Sequence, residues 1–386
     1  MRIILMVLKN TLRHPLRNAL TVLGIAIAVS AFGLLRTVLT SWDAGIEVAS
    51  VDRLVTRDAV SFIFPMPLAY AEKIEKVEGI ETLCYFNWFQ GVYKDKQNFF
   101  PRMAVQPDRV FAVYPEYIVT SDELEAFKKE RNACVIGESI ASQFNIKLND
   151  IMTVEGDIYP GRWDFVVRGI YKKRDEKIDG TQMFFHWDYL NERMNQDSPS
   201  RANRIGWIVA KLKPGANAAE VSQAIDSQFK NSSTETKSET ERAFNQSFFE
   251  AYSAIFTGIR VMSVLIIGII LLVLGNTMIM STRERTREYA MLKTLGFSGR
   301  NLVSFIAGES IVMSFIGAIM GVILLYLLVQ VVSAVVPKQF FPVFFIAPST
   351  YIITFTAAIV LGFLASVQPV LHTIKTRIVD GLRFIG

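Results

Sequence analysis

The groups in this chain that could do chemistry are few, and their spacing argues against a catalytic or metal centre. Its three histidines, His14, His186 and His372, stand in three separate regions, so no pair of them can open a zinc site or a His-based nucleophilic triad. Asp122, Glu123 and Glu125 fit a solvated helix face better than an acid/base pair. Cys84 and Cys134 form a possible disulfide in an oxidising compartment, but nothing in the sequence brings their Cα atoms within bonding reach, and buried free thiols are the expectation. A nucleotide motor needs a Gly-rich loop whose Lys reaches the β- and γ-phosphates, and the chain contains no Gly-Lys dipeptide. What remains is the chemistry of ion pairing. Glu309 lies just inside an apolar stretch, where an acid is costly unless paired or hydrated. An Arg of the charged run that precedes it is the expected partner, with proton coupling as the alternative.

That charged run, Ser281 to Arg300, reads as helix, sharp turn, helix. Gly296 is placed to end the first helix as its C′ residue, with Phe297 touching Leu292 in a Schellman ending. Ser298 can cap the next helix, and Phe297 would also face Leu302 as a hydrophobic staple. A loop that merely carries positive charge would explain the arginines and leave Gly-Phe-Ser unexplained.

The elements that position this elbow are four apolar stretches, from about Leu20 to Leu39, Ile259 to Ile279, Leu302 to Val336 and Ile352 to Val370. Each approaches or exceeds the ~20 residues that cross a bilayer as a helix, and the third is long enough to tilt. They are divided one plus three by a long, mostly polar insert. Arg2, Lys9, Arg13 and Arg17 precede the first stretch; Arg283, Arg285, Arg287, Lys293 and Arg300 lie between the second and third; Lys375, Arg377 and Arg383 follow the fourth. Lys338 stands alone between the third and fourth. The positive-inside rule therefore sets both termini and the elbow in the cytoplasm and the insert outside. These anchoring cations account for a pI of 9.0 without a nucleic-acid partner. Ile3, Ile4, Val7, Leu8 and Leu12 repeat at helical spacing, as in an amphipathic helix lying on the inner interface.

Within the insert, helices are expected over Leu68 to Val77, Asp122 to Arg131, Gly137 to Phe144 and Ala218 to Phe229; Thr120 and Glu123 have capping-box spacing ahead of the second. Strands are expected over Thr82 to Tyr93, Ile151 to Glu155, Phe165 to Tyr171 and Ile205 to Leu212, with a hairpin at Pro160-Gly161. An α+β domain follows. The polar run Asn231 to Arg242 reads as a solvated connection, and Phe244, Phe248 and Tyr252 suggest a helix leading into the second span. In the spans, Gly317 and Gly321, extended by Ser310 and Ser314, permit close helix approach, within the chain or between copies. Ala26 and Ser30 offer a similar surface.

Glu284-Arg-Thr-Arg-Glu-Tyr-Ala-Met-Leu-Lys-Thr-Leu-Gly296 resembles the signature of the FtsX-like/MacB-like permeases of ABC transporters, the type VII, mechanotransmission class. Thr294 and Tyr289 stand where that family more often has Ala and a branched aliphatic residue. Leu12-Arg-His-Pro-Leu-Arg17 with Leu20-Thr-Val-Leu-Gly-Ile25 resembles the family's start. Gly308-Glu-Ser310 through Gly321 resembles its third span, and Pro369 and Leu382-Arg383 its end. Val135-Ile-Gly-Glu-Ser-Ile-Ala141 and Val209-Ala-Lys-Leu-Lys-Pro-Gly215 resemble parts of the MacB-type periplasmic core domain.

The resemblance implies that the charged segment is a coupling helix that docks on an ATPase, carried by Arg283, Glu284, Arg285, Arg287, Glu288, Ala290, Lys293, Leu295 and Gly296. ATP and Mg would be bound by that separate ABC ATPase subunit, present in two copies beside a second permease copy or paralogue, with no cofactor in this chain. A periplasmic adaptor and an outer-membrane channel are left open. The expected organisation is an α-helical membrane protein of the inner membrane. It has a cytoplasmic segment over 1–18, spans over 19–42, 254–280, 302–336 and 351–371, an extracytoplasmic α+β domain over 43–253, the coupling segment over 281–301, an outer loop over 337–350 and a cytoplasmic tail over 372–386. The expected function is export or extraction of a substrate. The alternatives are a lipoprotein-releasing LolC/LolE-like permease, an FtsX-like regulator of a cell-wall hydrolase, and a motor-independent membrane-anchored binding or sensory protein.

Overall fold

A computed structural model describes residues 15–48, 50–96, 98–175, 178–250, 253–335 and 344–375. The N-terminal amphipathic helix and His14 lie outside these residues, as do half of the outer loop and the end of the tail. The chain forms two compact units.

One unit is helical. Its long helices are α1 (Pro15–Val48), α9 (Ser253–Glu284), α11 (Gly299–Val335) and α12 (Pro348–Lys375), and a short helix, α10 (Thr286–Thr294), separates the second from the third. Among the described residues, these four are long and apolar enough to cross a membrane, arranged one and then three. All four long helices contribute to one core, in which Ile25 and Val29 of α1 meet Leu274 and Met278 of α9, Met313 of α11 and Leu361 of α12. Close approach is permitted by small residues. A Cβ on Gly317 would stand 2.6 Å from Ile25 Cγ2, and one on Gly321 2.7 Å from Val29 Cβ and 3.0 Å from the Ala26 carbonyl oxygen. Ser310 Oγ donates to the Gly362 carbonyl at 2.5 Å, and Ser314 fills the space a side chain on Gly362 would need.

The other unit, inserted between α1 and α9, is α+β. Its strands are β1 (Arg53–Asp58), β2 (Met66–Pro67), β3 (Ile80–Trp88), β4 (Gly91–Val92), β5 (Arg102–Val105), β6 (Tyr117–Ile118), β7 (Ala133–Gly137), β8 (Ile151–Gly156), β9 (Gly161–Lys173), β10 (Met183–His186), β11 (Arg204–Ile205), β12 (Trp207–Leu212) and β13 (Thr236–Thr240). Its helices are α2 (Ala69–Glu75), α3 (Val110–Val113), α4 (Ser121–Lys129), α5 (Glu138–Phe144), α6 (Trp187–Asp197), α7 (Ala218–Phe229) and α8 (Glu241–Glu250). The main sheet runs β13-β1-β12-β3-β5-β10-β7-β9-β8-β4, with β6 on β9, and β11 pairs β2 separately. One face packs under Ile74 of α2, Ile140 of α5, Leu190 of α6 and Ile225 of α7; the other packs under Val110 of α3 and Phe127 of α4. Local signals start these elements as physics requires. Glu123 N–H donates to Thr120 Oγ1 and the Glu123 carboxylate accepts from Thr120 N, closing the capping box of α4. The hairpin from β8 to β9 turns at Gly161, whose φ is +115°.

The cysteines stand as expected, without the possible disulfide, and one connection is corrected. Cys84 and Cys134 are both free and buried. They sit on β3 and β7 with β5 and β10 between, three steps of about 4.8 Å, far beyond disulfide reach, and they point into opposite cores. The run Asn231 to Arg242 is more than a solvated connection, because it contains β13, the edge strand beside β1. Its buried hydroxyls are satisfied locally: Thr236 Oγ1 and Ser238 Oγ donate to Asp226 Oδ1 at 2.9 and 2.7 Å, so the strand needs no apolar face.

Candidate functional site

The elbow is built around a glycine. Gly296 has φ +87°, a conformation open to Gly at no steric cost, and it lets two N–H groups turn back on the end of α10. Phe297 N–H donates to the Leu292 carbonyl at 3.0 Å and Gly296 N–H to that of Lys293 at 3.1 Å, the pair of bonds that defines a Schellman ending. Leu302 is fully buried among Tyr289, Leu292, Ile306 and Val370, while Phe297 stays exposed.

Three charged residues of the elbow, Glu284, Arg285 and Lys293, hold it to the helical unit. Arg17 Nη1 of α1 donates to Glu284 Oε2 at 2.5 Å. Arg285 Nη1 donates to Glu309 Oε2 of α11 at 2.9 Å, with both side chains almost wholly buried. Lys293 Nζ donates to the Thr373 and Ile374 carbonyls at 2.8 and 3.3 Å, placing a cation at the negative end of α12. Tyr289 packs in the same interior. Burial pushes its phenol up to about 12, the Arg285 guanidinium opposes the rise and the Glu309 carboxylate adds to it. Ala290 is buried as well.

The other face of α10 is open. Arg287, Met291 and Leu295 form a stripe at four-residue spacing, with Leu295 76% exposed. Arg283 and Glu288 are exposed beside it. The segment read in sequence as one coupling surface is thus two: Arg285, Ala290 and Lys293 face the bundle, with the exposed Glu284 paired to α1 through Arg17, and Arg283, Arg287, Glu288 and Leu295 face solvent. Arg17, Tyr289 and Met291 belong to this site, although sequence reasoning named Arg17 only as an anchoring cation and Tyr289 only as a departure from the family pattern, and did not single out Met291. Only the spacing of Met291 between Arg287 and Leu295 could have marked it.

The small residues of the spans lie elsewhere. Ala26, Gly317 and Gly321 meet between α1 and α11, and Ser310 and Ser314 meet α12. Ser30 Oγ donates to the Ile27 carbonyl of its own helix at 2.8 Å. Among the described residues, no group of three or more His, Cys, Asp or Glu is placed to hold a metal ion.

Comparison with known proteins follows the same division. Residues 18–228 match the MacB-like periplasmic core domain and residues 260–378 the FtsX-like permease C-terminal domain. An uncharacterised ABC transporter permease of Methanocaldococcus jannaschii is 23% identical over 360 residues, covering 87% of this chain and 86% of the relative. The uncharacterised ABC transporter permease YvrN of Bacillus subtilis is 21% identical over 417 residues, covering 96% of each. The crystal structure of the periplasmic region of MacB from Actinobacillus actinomycetemcomitans aligns at 13% identity with a TM-score of 0.38, over 53% of this chain and 95% of that one.

Proposed function

Because the chain belongs to the family of FtsX-like permeases with a MacB-like periplasmic core domain, we propose that it couples a separate ABC ATPase to work done on a substrate outside the membrane. It is a multi-pass inner-membrane permease whose large extracytoplasmic domain lies between the first span and the other three. The observation that carries the proposal is the two-sided elbow. Its outer stripe of Arg287, Met291 and Leu295, flanked by Glu288, offers the motor an apolar patch with charge of both signs around it. Its inner side is tied by Glu284, Arg285 and Lys293 to α1, α11 and α12, so displacement of α10 is passed to three helices at once.

The chain passes between the two units at two connections. Helix α1 runs unbroken from Pro15 to Val48 and β1 begins at Arg53; α8 ends at Glu250 and α9 begins at Ser253. The spans carry few ionisable residues, and Arg285 already neutralises Glu309, which suits mechanical transmission better than a polar conduit. Export or extraction of a substrate would follow from motion of the domain, with two ATPase subunits acting on two permease copies or on this chain and a paralogue. An adaptor and an outer-membrane channel would extend the path.

Met291→Glu with Leu295→Glu tests the reading, because both side chains are exposed and their loss leaves the bundle intact. The expected result is an unchanged melting temperature with loss of ATPase copurification and of stimulated hydrolysis. Full stimulation in the double variant would refute docking at this face.

A further inference from the structure

The extracytoplasmic domain holds a cavity of about 250 Å³ whose walls the coupling reading does not use. Five aromatic rings form a continuous lining. Trp207 stacks on Phe86 with centroids 5.5 Å apart, Phe86 meets Tyr114 edge-on at 6.0 Å, Tyr114 stacks on Tyr117 at 5.7 Å, and Tyr117 meets Phe184 at 5.6 Å. Rings present negative π-faces, so an enclosure of this kind favours a cation over a neutral or anionic guest.

The charged groups of the lining point the same way. Arg53 is already committed: its Nε donates to Glu241 Oε2 at 2.7 Å, its Nη2 to Glu116 Oε1 at 2.8 Å, and its guanidinium lies 4.4 Å over the Tyr114 ring. Burial opposes the Arg53 charge, but Glu241, Tyr114 and Glu116 more than offset it and hold the guanidinium firmly protonated. Two carboxylates therefore face one cation. Asp179 adds a third acid to the lining, and its bonds come from neutral donors: Thr181 N at 2.7 Å, Thr181 Oγ1 at 2.5 Å and Gln182 Nε2 at 3.1 Å. Burial pushes the Asp179 carboxyl up, with those hydrogen bonds and Lys173 opposing the rise. A positive guest beside Asp179 would supply, within the cavity, a counter-charge in addition to that of Lys173.

We propose that this cavity binds a small organic ammonium ion carried on an apolar or aromatic body, the ammonium directed at Asp179 and the body against Phe86, Tyr117, Phe184 and Trp207. Its volume lies below the roughly 300–1,000 Å³ of sites for drug-sized ligands, which limits the guest to a compact amine. The walls also include the chain's entry and exit from the domain. Arg53 opens β1, and Glu241 and Asn245 lie on α8, so a guest bears on the Arg53–Glu241 pair that joins them. The site stands independently of the motor reading, since binding needs neither ATPase nor nucleotide.

The test uses the full chain in nanodiscs without ATPase or nucleotide. Calorimetry is run with phenethylammonium, neutral 2-phenylethanol and anionic 3-phenylpropionate, after subtraction of empty nanodiscs. Phenethylammonium is expected to bind with a submillimolar Kd and the other two at least tenfold more weakly. Asp179→Asn should weaken phenethylammonium at least tenfold, and Met103→Trp, which fills the cavity from its wall, should abolish its binding. Equal binding of the neutral probe, or no phenethylammonium binding at millimolar concentration, overturns the proposal. Unaltered affinity in a folded Asp179→Asn protein does so as well. If Asp179→Asn does not fold, retention of binding in Met103→Trp is the overturning result.

Discussion

Removing one partner of the Arg285–Glu309 pair should loosen the elbow by a measurable amount. The two side chains are only 4% and 5% exposed and meet at 2.9 Å through Glu309 Oε2, while the buried Oε1 accepts no hydrogen bond. Replacing Glu309 by Leu leaves a buried guanidinium without its counter-charge, a change that costs about 3–5 kcal/mol. At about 2–4 °C per kcal/mol for a unit of 150–250 residues, the melting midpoint should fall by roughly 6–20 °C. Arg285→Met strands the carboxylate and should cost a similar amount. The double replacement, Arg285→Met with Glu309→Leu, leaves no buried charge, so it should cost less than either single replacement and far less than their sum. Thermal unfolding of all four proteins in nanodiscs measures this cycle, and ATPase stimulation measured on the same samples tests the proposed passage of force from the elbow to α11. Additive single effects, or single effects below about 1 kcal/mol, would refute the clamp.

Gly296→Val should distort the Schellman ending by about 1–2 kcal/mol and reduce stimulated hydrolysis, whereas Gly296→Asn, which tolerates positive φ, should lose less; equal loss in both would remove the conformational argument. Flexible Gly-Ser insertions near Thr40 and near Ala254 should leave hydrolysis running while the extracytoplasmic function fails, and full cellular function with both insertions present would contradict mechanical transmission. Burial pushes the Cys84 and Cys134 thiols up, so both should resist Ellman's reagent in the native chain and react on unfolding. Because the unfolded thiols ionise near ~8.5 while the native ones stay protonated, each should lower stability by about 1.4 kcal/mol per pH unit above that value; a cysteine-free variant with the same alkaline slope would refute this.

What could be read from sequence was whatever is encoded at short range. The spans follow from apolar length, the end of α10 from Gly-Phe-Ser, and the start of α4 from Thr120 and Glu123. Glu309 could be singled out because an acid in an apolar helix demands a partner, but Arg283, Arg285, Arg287 and Arg300 all compete for it in sequence. The strand β13 was hidden because its buried positions are Thr and Ser, whose hydroxyls bond Asp226 in place of apolar packing. The two-sided elbow was hidden for a related reason. Glu284 and Lys293 look like solvated charges until Arg17 and the end of α12 are brought beside them. The aromatic cavity gathers residues from Arg53 to Asn245 and has no local spacing at all.

The pairing of β1 with β13 sets the direction in which the extracytoplasmic domain can bear load. Leu54 stands opposite Thr240 and Asp58 opposite Thr236, so the chain enters and leaves at the same end of an antiparallel ladder. Drawing those two ends apart would open the ladder like a zipper, one pair of hydrogen bonds at a time, its weakest mode. Moving them together leaves every bond unloaded. Glu241 sits at the fork, accepting from Arg53 Nε at 2.7 Å and from Ser50 N at 3.1 Å, and so acts as a stop where the first tooth would part. If the two connections carry load as proposed, this ladder suits them to move the domain as one body and resists being unfastened by them.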